Sequence, residues 1–413
     1  MRIIRLLIIS LLLFFVLINI TLADDFNIEE TSNNFETSSH EYNCNLSSDK
    51  DLHISSKRAV VLERNSKIFL YEKNSDEKCA MASTTKIMTC LLILENCDLA
   101  DTVSISKKAA QTGGSRLDLS EGDIISVNDL LYGLMLCSGN DAAVALAEFC
   151  SGSIEEFAKL MNSRASELGL SSTHFVTPHG LDNENHYTNA KDFAILTDFT
   201  LNNPLFLQIV GTKSYTITIN SNQKSISNTN ELLGNIDSVY GVKTGFTSQA
   251  GRCLITSAKQ NNLDIIVVVF GADTKSIRTT DSANLINYIF SNYTAIRLKN
   301  LIETKYEEYT SYVLPYKSIE KASCLVSSYC SFENIPEIYP IKNELLDSIT
   351  VSVEENTISF PIQKDQVLAK INVSSNNSCL YSIDILSESY IDKKKPFDYL
   401  LFFFYEYKNF YKI

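Results

Sequence analysis

The sequence predicts an α+β protein. A sheet is assembled from the two ends of a long segment, a helical section is inserted between them, and a smaller β-rich unit follows. Three observations carry this. β-rich runs at 59–62 and 68–71 precede, and runs at 214–219, 241–245, 253–258 and 264–270 follow, a middle region from about 104 to 200 with helical apolar period. Beyond about residue 300, short β-like runs alternate with polar turns and no long helix is expected. At 413 residues the chain is long enough for two or three folded units.

In chain order, Arg2 and Arg5 flank a run from Leu6 to Ile18 that is apolar except for Ser10, and Thr21-Leu22-Ala23 follows. A positive start, an apolar core and small residues at the end make a secretory signal over 1–23 with cleavage after Ala23. The competing reading, a membrane anchor, is disfavoured by the run's shortness and by Asn19. Residues 24–55 are polar and acidic without sustained period and read as a flexible leader. Arg64-Asn65-Ser66 between the first two strand runs reads as a hairpin turn. Helical periods cover 83–95, 127–150, 154–168, 190–201 and 276–290. Strands are expected at 310–314, 348–353, 366–371 and 380–385. The resulting division is 56–298 for the first domain, 299–388 for the β-rich one and 389–413 for a tail.

Composition narrows the function. With 45% hydrophobic and 21% charged residues, wholesale disorder, collagen-like structure and a polytopic membrane protein are excluded. A net charge of −13 argues against a nucleic-acid binder relying on phosphate neutralisation. Ten cysteines are too dilute for a disulfide-built fold. Cys90, Cys97, Cys137 and Cys150 read as buried free thiols, while Cys324, Cys330 and Cys379 leave pairings open.

Three short motifs carry chemistry: Ser83-Thr84-Thr85-Lys86 opening a helix, Ser138-Gly139-Asn140 after an apolar stretch, and Lys243-Thr244-Gly245 on a strand. Each alone is ordinary surface or turn vocabulary. Together and in order they fit one reaction. Positions i and i+3 share a helix face, so the Lys86 amine reaches the Ser83 hydroxyl. A serine hydroxyl needs a base to become a nucleophile, and a lysine becomes that base when burial and a neighbouring cation lower its pKa. Lys243 is that cation. Ser138 can relay a proton to the leaving nitrogen, and Asn140 can hold the substrate backbone. The Ser83 and Phe246 backbone N–H groups can form an oxyanion hole. This describes a Ser-Lys acyl-transfer site.

The motifs resemble those of penicillin-binding proteins and serine β-lactamases, and most closely the low-molecular-weight D-alanyl-D-alanine carboxypeptidases of the peptidase S11 family. The similarity runs over 58–290 and includes the string from Ala82 to Thr89, Thr177-Pro178-His179-Gly180-Leu181-Asp182, and the string from Gly241 to Thr247. The resemblance implies a β-lactamase/transpeptidase-like fold followed by a small all-β domain. It implies Ser83 as acylated nucleophile, Lys86 as its base, and Ser138 and Asn140 as the second element. Lys243, Thr244 and Gly245 would bind substrate, with Arg278, 35 residues beyond Lys243, as partner of its terminal carboxylate; Arg252 is the rival. The implied partners are peptidoglycan stem peptides ending in D-Ala-D-Ala and β-lactam antibiotics, with no cofactor or metal. Met81 departs from the proline that many relatives carry there.

Three alternative readings meet obstacles in the residues. The position 36 residues after Ser138 is His174, not glutamate, which disfavours efficient β-lactam hydrolysis. His179, Asp182 and His186 lack a zinc-site spacing. A non-catalytic peptidoglycan-binding role fits poorly with all three motifs intact. In the tail, Lys393-Lys394-Lys395 and Pro396 precede a segment whose Phe397, Tyr399, Leu400, Phe403, Phe404, Tyr407, Phe410 and Tyr411 share a helical face. It reads as an interfacial membrane anchor, which places the enzyme at the outer face of the cytoplasmic membrane.

Overall fold

The structure, a computed structural model, describes residues 52–314, 326–393 and 395. The expected signal, most of the leader and the amphipathic part of the tail lie outside the described residues. Strands β1 (Arg58–Glu63) and β2 (Phe69–Lys73) form the expected hairpin. Its turn is tied by the Glu63 carboxylate, which accepts from Ser66 N and Oγ, both at 2.7 Å, and from Asn65 Nδ2 at 2.8 Å.

The inserted region follows. It comprises α1 (Lys86–Asn96), β3 (Thr102–Ser104), α2 (Lys107–Ala110), β4 (Ile124–Ser126), α3 (Val127–Leu136), α4 (Asn140–Ser151), α5 (Ile154–Glu167), α6 (Ala190–Thr200), α7 (Pro204–Gly211) and the ribbon β5 (Ser214–Ile219) with β6 (Asn222–Ser227). The single period read over 127–150 is broken. Ser138 adopts a left-handed φ of 65° between α3 and α4, a backbone cost that a serine bears only where surroundings enforce it.

Strands β7 (Val239–Thr247), β8 (Gly251–Gln260) and β9 (Leu263–Ala272) complete a five-stranded sheet in the order β2-β1-β9-β8-β7 with every neighbour antiparallel. The two ends of the segment therefore meet at β1 and β9. Every residue of β9 is buried because each face of the sheet is covered. Alternation divides the burden. Val60, Leu62, Ile266, Val268 and Phe270 point into a core shared with the inserted helices. Ala59, Val61, Ile265, Val267 and Val269 point into a second core.

That second core is closed by α8 (Lys275–Asn292) and by the C-terminal region: β10 (Tyr293–Ile296), α9 (Leu298–Glu308), β11 (Ser328–Tyr329), β12 (Tyr339–Lys342), β13 (Ile349–Glu355), β14 (Val367–Ser375) and β15 (Ser378–Ser387). A four-stranded antiparallel sheet runs β11-β15-β14-β13, and β10 pairs with β12. The run at 310–314 is not a strand. Residues Tyr309–Val313 continue α9 as a π-helical turn, because Leu298, Ile302, Tyr309 and Leu314 all bury into the second core. Burial of a helical face outweighs the local β preference of Thr310 and Tyr309. The packed chain also extends beyond two expected edges. Ile54 is buried and Ser56 donates from N and Oγ to Asp281, at 2.7 and 2.5 Å. At the other end Ile391 is buried and bridges Ile362.

Among the described residues Cys79, Cys90, Cys97, Cys137, Cys150, Cys253, Cys330 and Cys379 are free thiols, so the pairing left open between Cys330 and Cys379 is not made.

Candidate active site

The site lies where the N-terminal ends of α1 and α4 meet β7. Ser83 stands on a tight 3-10 turn, Ala82–Thr85, that leads into α1. Ala82 has a φ of 48°, and two glycines make the turn's position possible. A Cβ on Gly180 would fall 1.9 Å from the Ala82 carbonyl oxygen. A Cβ on Gly245 would stand 3.1 Å from Ser83 N, so β7 approaches the turn as closely as a bare backbone permits.

Lys86 begins α1 and is completely buried. Its Nζ lies 2.9 Å from Ser83 Oγ, 2.8 Å from Asn140 Oδ1 and 2.9 Å from the His179 carbonyl oxygen. An ammonium would donate to all three. A neutral amine can donate to Asn140 and His179 and turn its lone pair toward the serine hydroxyl. Burial, and then the charge of Lys243, push Lys86 well below the ordinary lysine range. Lys243, on β7, is itself buried. Burial lowers it to about 7, with Arg278 pushing the same way and Cys137 opposing.

Asn140 donates from Nδ2 to the Gly113 carbonyl at 2.7 Å. The loop carrying Gly113 is held by Asp141, whose carboxylate accepts from Leu117 N at 2.9 Å and Leu119 N at 3.2 Å. The Ser138 Oγ is buried with no hydrogen-bond partner among the described residues. Thr244 Oγ1 meets Thr229 Oγ1 at 2.7 Å. Arg278, in the first turn of α8, is buried and reaches Glu231 at 3.4 Å. Arg252 instead stacks on the exposed Phe246 ring, 3.6 Å from its centroid.

The histidines beside the turn are bonded as neutral rings. His186 Nε2 lies 2.8 Å from Thr85 Oγ1 and its Nδ1 accepts from Val176 N at 2.9 Å. Burial lowers His186 to about 4 and His179 to about 3. Asp182 turns instead to Gln249 N, at 3.3 Å.

All three motifs thus converge, with Ser83, Lys86 and Asn140 joined directly. Sequence reasoning missed the His179 carbonyl, the Gly113 carbonyl, Asp141, Thr229 and Glu231. Backbone acceptors leave no trace in residue type, and Glu231 sits in an unremarked loop. The string over 177–182, which contains His179-Gly180, was the one available signal.

An antiparallel sheet with a helical insertion, bearing a buried lysine against a serine at a helix mouth, is the arrangement of serine DD-peptidases of the transpeptidase/β-lactamase fold. The peptidase S11 family model, described as D-alanyl-D-alanine carboxypeptidase, matches residues 45–274, and the chain belongs to that family. It is 38% identical over 346 residues to the D-alanyl-D-alanine carboxypeptidase DacF of Bacillus subtilis, an alignment spanning 82% of this chain and 85% of DacF. Penicillin binding protein 5 from Haemophilus influenzae is similar with a TM-score of 0.67 and 27% identity, covering 84% of this chain and 100% of that one. The Streptomyces K15 DD-transpeptidase gives 0.56 and 31%, over 58% of this chain and 98% of its own.

Proposed function

We propose that this chain is an exported serine DD-carboxypeptidase that removes the terminal D-alanine from peptidoglycan stem peptides through an acyl-enzyme at Ser83, the hydroxyl that penicillin also acylates. The observation that carries the reading is the buried Lys86 amine in hydrogen-bond contact with Ser83 Oγ. Neutral Lys86 takes the hydroxyl proton as Oγ attacks the carbonyl carbon of the penultimate D-alanine. The oxyanion is received by the N–H groups of Ser83 and Phe246. Ser138 relays the proton taken up by Lys86 to the departing nitrogen, the C–N bond breaks, D-alanine leaves and Lys86 is again a neutral amine. Water, deprotonated by the same base, then hydrolyses the Ser83 ester. Asn140 holds the substrate backbone, while Lys243, Thr244 and Arg278 receive the terminal carboxylate along the glycine edge at Gly245.

Incubation with a stem pentapeptide and mass spectrometry of the product tests this. Loss of one D-alanine is expected; a cross-linked product would make the chain a transpeptidase, and an unchanged peptide would refute the reading.

Arg278→Ala is expected to weaken action on a peptide with a free terminal carboxylate by about 1.5–3 kcal/mol, the worth of a charge-assisted hydrogen bond, and to spare a substrate lacking it. Equal losses on both substrates would make Arg278 structural.

Membrane attachment is assigned to residues 397–413, which lie outside the described residues, from their one-sided aromatic face and the preceding lysines. Deleting them is expected to release active enzyme from the membrane fraction. A truncated protein that still sediments with membranes would place the anchor elsewhere.

A further inference from the structure

Glu231 lies in the loop before β7, and its carboxylate is gripped by the first turn of α8. One oxygen pairs with Lys275 Nζ, and the other meets Thr279 Oγ1 at 2.9 Å and Arg278 Nη2 at 3.4 Å. Positions 275, 278 and 279 share one helix face, so a single carboxylate engages all three. Arg278 is 4% exposed, and among the described residues Glu231 is its only side-chain partner. The Arg278 Nε is buried with no hydrogen-bond partner among the described residues. The guanidinium therefore has one edge taken by a resident acid and a donor left over. The other charged groups that bear on Arg278 and Glu231 are Lys275, which pairs with Glu231, Arg252 and Lys243, and all three are basic.

We propose that Glu231 is a specificity-determining counter-charge that competes with the substrate's terminal carboxylate for Arg278. The proposal rests on the reading of Arg278 as the carboxylate partner. A second anion brought to Arg278 meets repulsion from Glu231, and the guanidinium cannot offer its full charge to both. Two consequences follow. Affinity for carboxylate-terminated peptides is held below what a bare Arg278 would give, which eases release of the free D-alanine product. Removing the charge while keeping the acceptor oxygen leaves Arg278 in place and strengthens carboxylate binding.

The experiment uses Glu231→Gln, Glu231→Asp, Arg278→Ala and the Glu231→Gln/Arg278→Ala double variant of the full chain. Each is assayed on a stem peptide with a free terminal carboxylate and on its C-terminal methyl ester. Glu231→Gln is expected to lower KM for the free acid roughly 3- to 10-fold, the scale of one unit charge several ångströms away in a partly solvated site. It should leave kcat unchanged and leave the ester unaffected. Glu231→Asp, which keeps the charge, should not tighten binding, and in the Arg278→Ala background Glu231→Gln should shift nothing. An unchanged or raised KM for the acid, an equal shift on acid and ester, or a shift that persists without Arg278 would overturn the proposal. Equilibrium binding of D-alanyl-D-alanine and its methyl ester to the Ser83→Ala protein, with and without Glu231→Gln, reads the same competition without turnover. An enzyme that cleaves no peptide yet binds the acid more tightly after Glu231→Gln would refute the peptidase reading and uphold this one. Active enzyme whose acid and ester affinities ignore Glu231 would do the reverse.

Discussion

Ser83→Ala is expected to abolish covalent labelling by a fluorescent penicillin and all D-alanine release, while the protein keeps its fold. Ser83 is half-buried on a turn whose shape is set by others: the Ala82 backbone, the Thr84 and Thr85 hydroxyls bonded to Met81 O and Ala82 O, and the close approach of Gly180 and Gly245. Removing one hydroxyl from that frame deletes the proposed nucleophile and leaves the frame standing. The Lys86 amine keeps Asn140 and His179 as acceptors. Intact-mass measurement after incubation with penicillin, alongside circular dichroism, checks both halves. A folded Ser83→Ala protein that still gains the mass of the drug would require another nucleophile.

Lys86→Ala is expected to slow acylation by at least the ~10²–10⁴-fold typical of a lost general base. The variant also leaves Asn140 Oδ1 and the His179 carbonyl without the donor that joins α1 to α4, at about 1–3 kcal/mol for each acceptor stranded in a buried site. A pH series separates chemistry from stability. With Lys86 as the proposed base, only the unprotonated amine accepts the serine proton, so acylation should fall as pH drops through the depressed Lys86 pKa. Because burial and Lys243 lower that pKa, activity should persist at pH values where an exposed lysine would be protonated. In Lys86→Ala the acidic limb should vanish from whatever rate remains. Acylation within about tenfold of wild type would move the base to another residue.

Much of the site was legible because its chemistry lives in side chains at short, rigid spacing. Ser83 and Lys86 are one turn apart, and the helix start alone brings their polar atoms together. Lys243-Thr244-Gly245 was readable as a strand because the β-rich runs at 253–258 and 264–270 follow it closely. The break at Ser138 was not readable from period, since the apolar residues of α3 and α4 continue in nearly unbroken helical phase. The left-handed Ser138 backbone and the non-helical Gly139 divide them, and the Asn140 N–H that follows donates to the Ser115 carbonyl at 2.7 Å rather than within a continuous helix. The helical turn at Tyr309 was missed for the complementary reason. Local β preference is worth tenths of a kcal/mol per residue, and a buried helical face outweighs it.

The sequence by itself determined the two-ended sheet, the inserted helices and the family, and it singled out the hydroxyl and the amine of Ser83 and Lys86 that the structure brings into contact. These follow from periodicity and from motifs whose members are neighbours along the chain. Tertiary structure alone decided what surrounds them: the His179 carbonyl on Lys86, Asp141 holding the loop that meets Asn140, Arg278 rather than Arg252 beside Lys243, and Glu231 on Arg278. The reason is physical. Partners such as Glu231 and Arg278, 47 residues apart, meet only after the sheet has closed, and a lysine's pKa depends on the water that closure removes.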